Sequence, residues 1–190
     1  MLLLAETASS ETVPSASTAK SVGADASFVT LLERFLPIFV EVFDEQLSRY
    51  MEVVGEEELT RRYTEKEFRE SLLRRIQRQF PNQITEVSAK IHPEGFVGSG
   101  KVRLSSYLFP MQVHVGIVVQ EERPHIVVQK IEIGGLVASG ELMDYLETSV
   151  NQKIDRQMHF LKIKRFELYE GFALISVERE EVEWMVRKGG

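Results

Sequence analysis

The chain has 190 residues, 43% hydrophobic and 27% charged, which fits one globular domain with a core and excludes a wholly disordered chain. A formal net charge of -6 argues against nucleic acid as the main partner, and the lack of cysteine excludes disulfides, thiolate zinc sites and cysteine nucleophiles. No stretch approaches the ~20 consecutive apolar residues that cross a bilayer as a helix.

Met1 to Ala5 is apolar and runs into Glu6 to Ser27, a tract dominated by Ser, Thr, Ala and Val. Such a tract cannot bury enough surface to fold, so residues 1–27 are expected to form a disordered linker. Two readings of it stand: the remnant of a signal or membrane anchor, or a plain disordered terminus. Residues 28–190 are then a single α+β domain.

Residues 28–54 are apolar with helical spacing: Phe28, Leu31, Leu32, Phe35, Leu36, Phe39, Val40, Phe43, Leu47, Tyr50 and Met51. Thr30 and Glu33 have capping-box spacing, and Ser27 is an alternative N-cap. Pro37 is expected to kink or split this helix. So wide an apolar face must be buried or must meet something apolar outside. After Gly55 and the acidic run Glu56 to Glu58, Thr64 and Glu67 form a second capping box. The stripe Phe68, Leu72, Ile76, Phe80 follows, and Pro81-Asn82 ends the helix.

From Ile84 the period becomes two. Val87, Ala89 and Ile91 alternate, and Pro93-Glu94-Gly95 turns the chain. Phe96, Val102 and Leu104 share a face across Gly98-Ser99-Gly100, which suggests a bulge or bend there. Met111, Val113, Val115, Ile117 and Val119 alternate cleanly. Beyond a turn at Glu121 to Pro124, Val127, Ile131 and Ile133 follow, with Ile126 and Val128 on the opposite face. Consecutive hairpins imply an antiparallel sheet. A third helix follows Gly134-Gly135, striped by Leu142, Leu146, Val150, Ile154 and Met158. Two strands complete the domain, near Leu161 to Leu168 and Phe172 to Val177. The tail from Glu178, with Val182, Trp184, Met185 and Val186, fits either a strand or a helical end.

No chemistry stands out. Gly95, Gly98 and Gly100 lie in a hairpin region with no helix opening after them, and Gly134-Gly135 lacks the lysine of a phosphate cradle. His92, His114, His125 and His159 form no His-x-x-x-His pair, so solvated histidines are the default and no metal is expected. His114 and His125 fall on neighbouring strands. The carboxylates cluster in turns and on helix faces beside Lys and Arg, and the serines have no nucleophile-elbow context. The sequence therefore points to no catalytic residues, no cofactor and no enzyme activity. One local charge anomaly stands out: residues 61–78 hold seven basic against three acidic side chains, +4. A basic amphipathic helix can dock on anionic headgroups, which makes Arg69, Arg74, Arg75 and Arg78 candidate membrane contacts; the alternative is a solvated helix back.

The order of signals carries a resemblance. A helix start Thr64-Glu-Lys-Glu-Phe-Arg-Glu-Ser-Leu-Leu precedes antiparallel strands. The segment Ile131-Glu-Ile-Gly-Gly-Leu follows, then the helix Leu142-Met-Asp-Tyr-Leu-Glu-Thr-Ser-Val-Asn-Gln-Lys-Ile, then the strand Ile163-Lys-Arg-Phe-Glu-Leu and a glycine turn. Over Thr64 to Val177 this resembles the bacterial extracytoplasmic branch of the tubular lipid-binding (TULIP) superfamily, which includes phospholipid-binding envelope proteins. The 28–54 helix departs from that pattern in its length and apolarity. The resemblance implies a curved antiparallel sheet wrapped around or packed on long helices, an apolar cavity for acyl chains, and no catalytic residues to transfer. It implies a location outside the cytoplasm or on a membrane anchor, with the cytoplasm as the alternative.

The leading expectation is a binding module for a lipid or other hydrophobic small molecule. Its cavity would be lined by Phe68, Leu72, Val113, Val115, Ile117, Ile131, Leu142 and Leu146. The plain alternative is that these side chains simply fill the core. A second class is an assembly module using 28–54 against a partner or a second copy, a homo-oligomer. A third is a small enzyme on a cone-shaped α+β fold, with His114 and Asp144 in a pocket.

Overall fold

The computed structural model describes residues 26–54, 58–157 and 161–179. Most of the linker expected over 1–27 lies outside these residues, as do Met158, His159 and the tail positions Val182, Trp184, Met185 and Val186. The described chain is mixed α and β, with antiparallel strands in two sheets.

The apolar N-terminal segment forms two helices, α1 (Ala26–Phe35) and α2 (Ile38–Val54). Pro37 divides them, as its missing N–H dictates. It stands at the mouth of α2, where its carbonyl accepts from Val40 N at 3.0 Å and Glu41 N at 2.9 Å. α1 opens at Ala26, ahead of both expected caps, so neither Ser27 nor Thr30 starts it. Glu33 is used otherwise: its carboxylate accepts from Tyr145 Oη at 3.0 Å and Ser149 Oγ at 2.8 Å, binding α1 to a later helix.

A strand that periodicity missed, β1 (Glu58–Thr64), leads into α3 (Glu65–Gln79). Only two of its seven residues, Leu59 and Tyr63, are apolar, so it carries little hydrophobic signal and takes its order from its partner strand. The capping box at Thr64 is present: Glu67 N donates to Thr64 Oγ1, and Thr64 N donates to Glu67 Oε2 at 2.9 Å.

The larger sheet runs in the order β2 (Ile84–His92), β3 (Gly95–Leu104), β4 (Tyr107–Gln120), β5 (Arg123–Ile133) and β6 (Leu136–Val137). Two bulges set its inward face. On β2, Glu86 and Val87 together oppose Gly100, with Glu86 at φ 54. This extra residue lets Ile84, Ala89 and Ile91 all be buried despite the odd spacing. The bulge expected at Gly98 to Gly100 is therefore on the neighbouring strand; Gly100 accommodates it, since a Cβ there would lie 3.0 Å from the Thr85 carbonyl oxygen. On β5, Gln129 is the extra residue, so Ile126 and Val128 are buried on the same side as Ile131, correcting the expected opposite faces. Val119 leaves the core as β4 runs out to its turn.

The smaller sheet is β1, β8 (Phe172–Arg179) and β7 (Leu161–Tyr169), with β8 central. Where a single curved sheet was expected, two sheets are tied at both ends by backbone bonds: Ile163 N to Glu122 O at 2.8 Å, and Gly171 N to Ile91 O at 3.0 Å. α3 packs on β2, and α4 (Gly140–Gln157) packs along β5. The side chains from Leu31 to Leu47 on α1 and α2 that formed the apolar pattern are almost wholly buried. Phe43 is an aromatic hub, 5.2 Å from both Tyr63 and Phe68, 5.7 Å from Phe96 and 6.0 Å from Phe166. Phe39 lies so close over Gly98 that a Cβ there would come within 2.9 Å of its ring.

Candidate functional site

The apolar stripe of α2 passes through Val40, Phe43 and Leu47. Asp44 falls on the same stripe, one turn beyond Val40. These four side chains form one wall of a narrow slot where α2 meets both sheets. The other walls are Ile117 of β4, Pro124 of β5, Ile163 and Phe166 of β7, and Ile175 and Val177 of β8. Its volume is about 20 Å³, room for about one water.

Asp44 is the one ionisable group in this lining. Its Oδ1 is buried and has no hydrogen-bond partner. Burial holds its carboxyl above the ordinary carboxylate value, the charges of Glu41 and Glu45 raise it further, and Arg75 opposes them. Arg75 is engaged elsewhere, 2.6 Å from Glu41 Oε2 and 2.7 Å from Glu45 Oε2. An acidic residue at helical spacing inside an apolar stripe was the readable signal for this site. Pattern counting passes over it because neighbouring apolar residues dominate the window.

The expected lining residues are divided by the fold. Ile117 lines the slot. Phe68, Leu72, Val113, Val115, Ile131 and Leu146 are buried in the continuous core, and Leu142 packs half-buried against it. Phe68 reaches the slot indirectly, through its ring stacked on Phe43. Of the four candidate membrane contacts, Arg69, Arg74 and Arg78 are exposed, with Arg74 donating to Ser71 Oγ at 2.8 Å. Arg75 is bound to α2 as above, and Arg78 Nη2 lies 3.4 Å from Glu45.

His114 and His125 do not meet. His114 is paired in register with Lys130 and His125 with Val118, four residues apart along β4 and so roughly 13 Å away at strand rise. His114 Nε2 is buried without a partner, and burial, Lys130 and His92 lower its pKa. Asp144 is exposed on α4 and is not among the charges acting on His114. Among the described residues, no group of three or more His, Cys, Asp or Glu could hold a metal, and no helix is long and apolar enough to cross a membrane.

A second feature lies at one end of the larger sheet. Tyr107 and Leu108 are 70% and 45% exposed at a hairpin tip, and Leu136 and Val137 are 62% and 59% exposed on β6. Gly134 N donates to Pro110 O at 2.8 Å, which sets the two turns side by side. No protein-family model matches the chain, and no curated protein matches it either.

Proposed function

We propose that the chain binds a hydrophobic ligand, lipid being the leading class, without performing a reaction on it. The observation that carries this reading is the slot: nine apolar side chains and one half-buried carboxyl, whose Oδ1 has no partner, converge where α2 meets both sheets. A polar group left unbonded among apolar walls costs about 1–3 kcal/mol, so it is more readily understood in a binding site than in plain core packing. At its present volume the slot holds no acyl chain. Ligand entry requires α2 and the strand ends beside it to part, a local opening short of global unfolding. In this reading the two sheets around α1 and α2 stand for the curved sheet around long helices that the TULIP resemblance implies. Arg69 and Arg74 offer headgroup contacts, and the protein works outside the cytoplasm or on a membrane anchor.

The test is direct. Protein purified without detergent is extracted with organic solvent, the extract is analysed by mass spectrometry, and the stripped protein is titrated with a fluorescent phospholipid. Stoichiometric lipid in the extract or saturable uptake is expected. A lipid-free preparation that also takes up no probe would remove the reading.

Assembly with a second copy is the other reading, and the exposed tip favours it over segment 28–54, whose side chains from Leu31 to Leu47 are already covered. Sedimentation would show dimer at high concentration, lost in Leu108→Glu with Leu136→Glu. A monomer at every concentration would exclude it.

A further inference from the structure

The Asp44 carboxyl has a physical consequence beyond lining a slot. Its carboxylate is the polar element of the seam between α2 and the sheets, and its Oδ1 has no donor. The walls facing it from β4, β5, β7 and β8 are hydrocarbon and hold no titratable group. On its own helix Glu41 and Glu45 repel it. From α3, Arg75 attracts it but is already shared between those two glutamates. From β1, also packed on α2, Arg61 pairs with Glu67 and Arg62 covers the Phe172 ring. Protonated, the carboxyl is neutral and the seam can close dry. Ionised, it is a charge with no counter-charge of its own, and the only relief is water. Asp44 is half-buried, so its carboxyl meets solvent on one side, but inside the slot, where Oδ1 lies, there is room for about one water; hydrating Oδ1 further requires α2 to lift.

We propose that Asp44 is a proton-operated latch on the slot: its protonated form holds the seam between α2 and the two sheets shut, and its ionised form hydrates and loosens it. The consequence for ligand entry rests on the binding reading above; the latch itself does not. Asp44→Asn, nearly isosteric and uncharged, mimics the closed state at every pH.

Hydrogen exchange of the α2 amides, corrected for intrinsic rates, is measured in the full chain at pH 4.5 and pH 7.5. The wild type is expected to lose protection in α2 as pH rises, about tenfold per pH unit across the titration. Asp44→Asn is expected to keep the same protection at both values, and Glu45→Gln to respond like the wild type. Unchanged α2 protection in the wild type, or an equal loss in Asp44→Asn, overturns the latch. In parallel, uptake of the neutral dye Nile red is expected to rise with pH in the wild type and stay flat in Asp44→Asn. No uptake at any pH counts against the binding reading alone, because exchange still decides the latch.

Discussion

The Asp44 carboxyl ionises less readily in the folded chain than in the unfolded one, because burial and the neighbouring glutamates disfavour its charge. The sign follows from linkage. The folded-state pKa is raised, so the stability it contributes is complete below the unfolded value of 3.8 and is lost as pH rises through the folded value. Asp44→Leu should therefore stabilise the protein at neutral pH by roughly 1–3 kcal/mol, measured by urea denaturation, and flatten the fall in stability above pH 4. Glu67 behaves in the opposite sense. The Thr64 backbone N–H, its hydroxyl and Arg61 bond its carboxylate and hold its pKa below the ordinary value. Its contribution is present above that ordinary value, 4.5, and is lost on acidification. Thr64→Ala should cost about 1 kcal/mol at neutral pH, and the acid limb of its stability profile should be shallower than that of the wild type. Thr64 and Glu67 were readable from their spacing alone, because a capping box is a contact between residues three apart. Asp44 shows in the sequence only as an acid within an apolar stripe, because the walls that isolate its carboxyl arrive from four strands distant in sequence.

At the scale of elements, the free edge of β5 shows how a strand is closed without another strand. Asn151 of α4 donates through Nδ2 to Ile126 O at 2.8 Å and accepts from Ile126 N at 2.8 Å, so its amide stands in for a pairing residue. Glu147 accepts from Val128 N at 2.9 Å, continuing the same edge. An edge covered in this way cannot recruit another chain. Asn151→Ala should cost about 2 kcal/mol, as two backbone groups lose their partners, and should accelerate exchange at the Ile126 amide. If that amide exchanges at the wild-type rate, the edge is sealed by packing and not by Asn151. The helix stripes and the hairpin order were legible because their periods are local. The bulges at Glu86–Val87 and Gln129 were not: a register shift is decided by what the adjacent strand presents, and one residue reverses every face beyond it.

At the scale of the molecule, the aromatic hub and the slot share two residues, Phe43 and Phe166. Phe43 packs against Tyr63, Phe68 and Phe96, and with Phe166 it also walls the slot. Phe43→Ala should destabilise the fold by about 3–5 kcal/mol. The cavity it leaves would join the slot, so the variant should take up xenon or a short alkane that the wild type excludes. A crystal under xenon pressure would show the occupied site beside Ile117, and an empty site there would mean that the core collapses around the loss. The same juncture ties the two sheets together, through Ile163 N on Glu122 O and through Lys164, whose ammonium lies 2.6 Å from Glu122 and 2.7 Å from Glu178.

The sequence by itself determined the α+β class, the break at Pro37, the cap at Thr64, the helix stripes and the antiparallel hairpins. Each depends on residues within a few positions of one another, where spacing and chain stereochemistry decide the outcome. Only the tertiary structure decided that the strands form two sheets, that β1 pairs with β8, that two bulges bring Ile84 and Ile126 to the buried face, and that Asp44 lies in an apolar slot. Those outcomes depend on which distant surfaces meet. A carboxylate beside apolar neighbours on a helix can lie in water or in a seam, and the choice is made by Ile117, Pro124, Ile163 and Val177, which reach it from the far side of the core.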